Sequence, residues 1–240
     1  MKYETPLIRC AFQKREKRFF LHATGPDDTP LTAHCPNTGS LRGVLDKPVS
    51  YVWLSFHGED SPRTLKYTHE LTEKPDGTLI GSHTGRANKL AAEALQNGLI
   101  PTYSGWHIRP EVKFTDGTRF DLLLTGPQGQ TCWAEVKNVT YRSGPHAAFP
   151  DAVTERGTKH LHHLTAIVRG GHPALQIFMV QRTDVTSFTP AEAIDPTYAN
   201  ALRAFAAAGG HIVALGCTYP RDASGTPTHI HIDKQLEIML

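Results

Sequence analysis

Leu65, Tyr67, His69 and Leu71 alternate with Lys66, Thr68 and Glu70, the period-2 mark of a strand with one buried face. The same texture runs through the first part of the chain. Residues 7–12 and 18–22 are short mixed apolar runs, and residues 49–56 are almost continuously apolar and aromatic. Turn-forming clusters at 25–28, 58–62 and 75–77 punctuate them. About five short strands in about eighty residues predict a small all-β barrel of OB type. We place it at residues 1–81.

The pattern changes after residue 82. Between residues 86 and 97, Ala87, Leu90, Ala91, Ala94 and Leu95 recur at helical spacing, with Ser82 or Thr84 available to cap the start and Gly98 to end it. Glu93 falls at the border of that apolar face. Residues 108–114 and 119–124 flank Asp116-Gly117, a strong hairpin signal, and residues 132–139 form a third strand. A Gly/Pro-containing loop, 141–150, leads to a helix predicted over 152–169. On it Val153, Gly157, Leu161, Leu164 and Val168 make the packing face, Arg156, Lys159 and His163 lie opposite, and His160 is on the flank. An apolar strand at 175–180, an Ala-rich helix at 196–208 closed by Gly209-Gly210, and a strand at 212–217 follow. Residues 221–228 read as a loop and 230–240 as a tail. The order is helix, three strands, helix, strand, helix, strand. It predicts an α/β domain over residues 82–240, with an antiparallel start, βαβ crossovers and a mixed sheet flanked by helices.

Composition is that of an ordinary globular chain: 39% hydrophobic and 20% charged over 240 residues. The net charge of +2 does not by itself indicate a nucleic-acid partner. Basic residues are clustered, however: Arg9, Lys14, Arg15, Lys17 and Arg18 stand against Glu16 alone. That strip is either a solvated hairpin face or a phosphate-facing one. Cys10, Cys35, Cys132 and Cys217 form no C-x-x-C pair and read as buried free thiols of a reducing compartment. The start of the chain lacks the apolar run of a signal peptide, and no window approaches the ~18 apolar residues of a membrane span. The expectation is a cytoplasmic protein with no membrane partner.

The chemistry concentrates at Asp121 and Glu135-Val136-Lys137. Side chains alternate along a strand, so Glu135 and Lys137 share a face, and a tight turn can bring Asp121 beside them. Two carboxylates and the Val136 carbonyl suit a hard cation such as Mg²⁺. Lys137 is placed to orient a water or to stabilise developing phosphoryl charge. Glu93 is a candidate further metal or water contact, and Arg156 and Lys159 are candidates to hold a substrate phosphate. On spacing alone the competing account is plain: Glu and Lys at i, i+2 are common on exposed strands, and a basic helix face is usually just solvated. The loop Pro36-Asn37-Thr38-Gly39-Ser40 is either a turn that needs Gly39 at positive φ or an anion-binding nest. His160 and His163 lack the further ligands a zinc site needs. There is no G-x-S-x-G elbow for a serine hydrolase. Arg142 and His146 lie in the loop beside the site. Trp53, Trp106 and Trp133 read as core, the alternative being a base-stacking face.

The spacing of Asp121 and Glu135-Val136-Lys137, preceded by a helix with an acidic residue, resembles the PD-(D/E)XK nuclease core. Several strings more specifically resemble the sugar fermentation stimulation protein A (SfsA) family: His34-Cys35-Pro36-Asn37-Thr38-Gly39-Ser40-Leu41, Arg119-Phe120-Asp121, Glu135-Val136-Lys137-Asn138-Val139-Thr140, and residues 149–161, FPDAVTERGTKHL, with a weaker match at Asp195-Pro196-x-Tyr198-Ala199. The resemblance spans nearly the whole chain. It implies an N-terminal OB-like domain, a PD-(D/E)XK-like C-terminal domain, DNA binding and a link to regulation of sugar (maltose) utilisation. Carried over by position, Asp121, Glu135 and Lys137 match the nuclease motif and Glu93 the helical acidic position. Phe120 stands where the motif's name has proline.

Two functions follow as expectations. One is a DNA-binding protein that hydrolyses phosphodiesters with Mg²⁺ or Mn²⁺. Its catalytic set would be Asp121, Glu135, Lys137 and Glu93, and its metal ligands Asp121, Glu135 and Val136. Its nucleic-acid contacts would be Arg156, Lys159, Arg15, Lys17, Arg18, Asn37 and Ser40. The other is a non-specific DNA-binding regulator whose nuclease fold is catalytically silent, a possibility because one fold hosts both.

Overall fold

The structure, a computed structural model, describes residues 1–46, 48–114 and 117–240. Its first six strands are β1 (Ile8–Glu16), β2 (Phe20–Thr24), β3 (Pro30–His34), β4 (Tyr51–Phe56), β5 (Tyr67–Glu73) and β6 (Leu79–Gly81). They form one sheet in the order β3-β2-β1-β4-β5-β6, and β3 also pairs in parallel with β5. That pairing closes five strands into the OB barrel the sequence predicts. Closure buries Cys10, Leu21, Ala33, Val52 and Leu54 inside, and it leaves little open strand edge. The second strand begins at Phe20 and not at residue 18: Lys17 and Arg18 have φ of 46° and 63° and make the turn after β1. The strand that alternates so cleanly, β5, is buried almost throughout. The reason is its polar face, where Glu70 and Glu73 are taken up by Arg86 and Arg221 of the second half.

The second half contains α1 (Ala87–Gln96), β7 (His107–Lys113), β8 (Arg119–Thr125), β9 (Thr131–Val139), β10 (Tyr141–Ser143), β11 (His146–Phe149), α2 (Glu155–Arg169), β12 (Ala174–Val180), β13 (Ser187–Pro190), α3 (Pro196–Ala207), β14 (His211–Thr218) and β15 (His231–Ile238). Its nine strands run β10-β11-β13-β15-β14-β12-β9-β8-β7. Strands β7 to β9 are antiparallel, and β9, β12 and β14 are parallel through the α2 and α3 crossovers. The mixed sheet is flanked by helices, as predicted: α1 packs on one face through Leu90, Ala91 and Leu95, α2 and α3 on the other through Leu161, Leu164, Leu202 and Phe205.

Several local readings are corrected. The loop at 141–150 is a small hairpin, β10–β11, that pairs with β13. The tail at 230–240 contains β15, paired antiparallel with β14; its apolar positions are too sparse to signal a strand without the neighbour that completes it. The helix predicted from 152 starts at Glu155, because Thr154 caps it by accepting the Gly157 N–H. Val153 therefore lies outside the helix and is 71% exposed. His160 belongs to the buried face of α2 and not to its flank. Asp116 of the expected hairpin turn lies outside the described residues.

The two halves share one apolar core. Leu7, Trp53, Leu71 and Leu79 from the barrel pack with Leu90, Ala134, Val136, Ile177 and Val213. Backbone bonds cross as well, with the Gly81 N–H donating to the Gln181 carbonyl at 2.7 Å. All four cysteines are buried free thiols. Among the described residues no helix is long and apolar enough to cross a membrane.

Candidate active site

β8 and β9 pair from Thr125 opposite Thr131 to Leu122 opposite Ala134. The ladder ends there. One residue further along, the side chain of Asp121 takes the place of the strand: its Oδ2 accepts the Val136 N–H at 2.8 Å. Its Oδ1 accepts the Asn88 amide from α1 at 2.9 Å. The N–H and C=O of a strand residue leave the same edge, so the Val136 carbonyl also points into the gap where the strands part.

Glu135 faces α2 and is 3% exposed. Its Oε1 accepts from Lys137 Nζ at 2.6 Å and lies 2.6 Å from His160 Nδ1. Its Oε2 is buried and has no hydrogen-bond partner among the described residues. Burial opposes ionisation of Glu135, but the bonds from His160 and Lys137 outweigh it and hold the carboxyl below its ordinary value. Asp121 is pushed the other way. Burial and the neighbouring Glu135 charge raise it, more than the Val136 and Asn88 bonds and Lys137 lower it. The site thus holds two close carboxylates, one bare carboxylate oxygen and one ammonium. The carboxylate repulsion is what a cation between them relieves.

The structure brings Asp121, Glu135, Val136 and Lys137 together. It does not bring Glu93. That carboxylate pairs with the Met1 ammonium at 3.1 Å, five residues and therefore about 140° around the helix from Asn88. The sequence places Glu93 correctly at the border of the apolar face, but a helix has two such borders, and the one toward Asp121 carries Asn88. Arg156 and Lys159 are exposed on α2; Lys159 lines an outer cleft with Val153, Thr158, His162 and Thr197. Lys17 and Arg18 are exposed at the barrel turn. Arg15 is committed to structure, donating to the carbonyls of Asn37 at 2.7 Å and Gly39 at 3.1 Å.

Asn37 and Ser40 also brace the fold. The Asn37 side chain accepts the Gly39 N–H at 2.9 Å, and Ser40 Oγ donates to Asp151 at 2.7 Å, tying the barrel to the segment before α2. Gly39 is not at positive φ; that conformation falls on Leu41, at 53°. Space at 39 is tight, since a Cβ there would lie 3.0 Å from Asn37 Oδ1 and 3.3 Å from Asp151. His163 packs against the ring of Phe114. Among the described residues no three His, Cys, Asp or Glu side chains gather as a metal site, so a cation here would rest on two carboxylates and a carbonyl.

Asn88 escapes the sequence reading, which places His160 on the helix flank and weighs it only as a zinc ligand. Asn88 carries no signal. His160 does: Gly157, His160, Leu161 and Leu164 fall at i, i+3, i+4 and i+7, the spacing of a buried face.

Comparison with known proteins agrees with this architecture. A family model described as the SfsA N-terminal OB domain matches residues 14–81, and one described as the sugar fermentation stimulation protein RE domain matches residues 85–223. A sugar fermentation stimulation protein homolog of Maricaulis maris is 45% identical over 240 residues, 99% of each chain. The homolog of Thioalkalivibrio sulfidiphilus is 46% identical over 219 residues, 90% of this chain and 91% of its own. Among solved structures, that of Pyrococcus furiosus SfsA in complex with Ca²⁺ superposes with a TM-score of 0.85 at 24% identity, covering 100% of this chain and 98% of its own.

Proposed function

This chain belongs to the sugar fermentation stimulation protein (SfsA) family, and on that premise we propose that it binds DNA and hydrolyses phosphodiester bonds with a divalent cation held by Asp121, Glu135 and the Val136 carbonyl. The observation that carries the reading is the bare, buried Oε2 of Glu135, a residue whose charge bears on Asp121 and whose Oε1 holds Lys137. A buried carboxylate oxygen with nothing to accept from is costly, and a hard cation is the partner its chemistry fits. The Ca²⁺ of the Pyrococcus furiosus relative supports an oxygen-seeking divalent ion in this fold.

When bound, Mg²⁺ or Mn²⁺ supplies Lewis acidity toward a phosphoryl oxygen and lowers the pKa of a water. The chain does the rest. Asn88 and the Val136 N–H fix Asp121. Glu135 keeps Oε2 buried and without a donor among the described residues. Lys137 stands where an ammonium can steady charge on a phosphate. Lys17, Arg18, Arg156 and Lys159 are exposed to meet a nucleic-acid backbone, whereas Arg15, Asn37 and Ser40 serve the fold.

The silent-regulator reading has one observation in its favour: Lys137 already pairs with Glu135, so the pair could serve stability alone. Labelled single- and double-stranded DNA and RNA, incubated with Mg²⁺ or Mn²⁺, separate the two. Cleavage abolished by Glu135→Gln and by Lys137→Ala is the expected result. Cleavage that both variants retain would refute the assignment. Salt-sensitive DNA binding without cleavage would establish the regulator instead.

A further inference from the structure

We infer that His160 is a positioning residue of this site: it holds Oε1 of Glu135, so that Oε2 stays turned toward the cation and Lys137 is free to leave Glu135 for the substrate. The inference rests on the cation-site reading above.

A carboxylate oxygen accepts about two hydrogen bonds. Oε1 has both, from Lys137 and His160 at 2.6 Å each, while Oε2 has none. The carboxylate is thus oriented by two donors on the same oxygen. Those donors differ in kind. Lys137 carries its charge on a flexible four-carbon stem, and its side chain is 16% exposed. The His160 ring is 6% exposed and lies edge-on to Phe120 with centroids 5.7 Å apart. It projects from α2 at a point where the helix is seated closely: a Cβ on Gly157 would lie 2.9 Å from the Thr154 side chain and 3.2 Å from the ring of Tyr198.

One donor is therefore fixed and the other movable. A phosphate entering beside Lys137 competes with Glu135 for the ammonium. Lys137 can turn to it only if Glu135 keeps a donor, because a buried carboxylate stripped of donors is strongly disfavoured. His160 is that remaining donor. Without it, Lys137 stays tied to Glu135 and Oε2 loses its fixed direction.

The test uses the full chain with three substitutions: His160→Ala, His160→Leu, which fills the space without a donor, and His160→Gln, whose amide restores one. Mn²⁺ binding by calorimetry and cleavage kinetics are measured on each, with thermal melts to confirm folding. His160→Ala and His160→Leu are expected to bind Mn²⁺ about ten- to a hundredfold more weakly and to lose kcat more than they raise KM. His160→Gln is expected to recover most of both. If the folded Ala or Leu variant keeps wild-type Mn²⁺ affinity and kcat, or if Gln does no better than Leu, the inference is overturned. If His160→Ala does not fold, the Leu and Gln pair decides. Wild-type protein that binds no Mn²⁺ overturns the cation reading and the inference with it. Wild-type protein that binds Mn²⁺ without cleaving overturns the nuclease assignment alone, and the affinities still decide the role of His160.

Discussion

His69 has no exposed surface, and its Nε2 lies 3.1 Å from both the Leu71 carbonyl oxygen and Thr72 Oγ1. A carbonyl only accepts, so Nε2 carries a proton. Burial pushes its pKa down to about 4. The unfolded ring titrates near 6.5. Between those values the unfolded chain takes up a proton that the folded chain refuses, so stability falls as pH falls through that window. The full loss is about 3 kcal/mol, about 2 of it gone by pH 5. Urea unfolding at pH 7 and pH 5 should show this drop in the wild type and a smaller one in His69→Gln; equal drops would remove His69 as the cause. Asp121 is a residue of another kind, because burial and the neighbouring Glu135 charge raise its carboxyl, so the fold disfavours its charged form. Asp121→Asn is therefore expected to stabilise the metal-free protein at pH 7 by on the order of 1 kcal/mol while abolishing cleavage. A lower melting temperature in that variant would show that the Val136 and Asn88 bonds matter more than the relieved charge.

At the scale of elements, one carboxylate starts two helices. Asp195 Oδ1 accepts the Tyr198 N–H and caps α3, while Oδ2 accepts the Thr154 N–H just before α2, at 2.9 and 2.8 Å. Thr154 in turn caps α2. Losing a cap costs about 1 kcal/mol. Asp195→Ala also strands a second N–H, so it is expected to cost about 2 kcal/mol and Thr154→Ala about 1. Urea midpoints with unchanged m-values check both, and the reverse ranking would contradict the shared-cap account. The same residues explain what was legible. The apolar spacing of Leu161 and Leu164 announces α2, but Val153 fits that spacing too and extends the predicted helix backward. Only the side-chain bond of Thr154 shows where the helix begins. The β10–β11 hairpin was hidden for a related reason, because Gly144 and Pro145 read as loop although the flanking residues complete a sheet supplied by β13.

At the scale of the molecule, Arg86 reaches from the start of α1 back into the barrel. Its guanidinium donates twice to Glu70, at 2.7 and 2.6 Å, and Ser55 donates to the same carboxylate at 3.0 Å. The Glu70 side chain is 2% exposed. Removing one partner of a buried pair leaves a stranded charge, so Arg86→Met is expected to cost about 3–5 kcal/mol, and adding Glu70→Leu should recover much of it. A double-mutant cycle by calorimetry measures the coupling, and additive losses would show that the pair contributes little. The shared core of Leu7, Trp53, Leu71 and Leu79 with Leu90, Ala134 and Val213 is expected to make the two halves unfold together. Calorimetry is expected to show a single transition, and two resolved transitions would refute it.

The sequence by itself determined the fold class, the order of most elements and the carboxylate–carboxylate–lysine set. Period-2 and period-3.6 patterns report which face of each element is buried, and Asp121 and Glu135-Val136-Lys137 lie on adjacent strands whose register their turn fixes. The tertiary structure alone decided which other side chains reach that set. Asn88 replaced Glu93 because two borders of a helix look alike in sequence, and packing of α1 chose between them. Arg15 and Ser40 became braces because their partners, the carbonyls of Asn37 and Gly39 for one and Asp151 for the other, lie far away along the chain, while Asn37 braces its own turn by accepting the Gly39 N–H. Oε2 of Glu135 was left bare by the convergence of His160 and Lys137 on the other oxygen, and no pattern of residue types encodes which of two equivalent oxygens a distant histidine will hold.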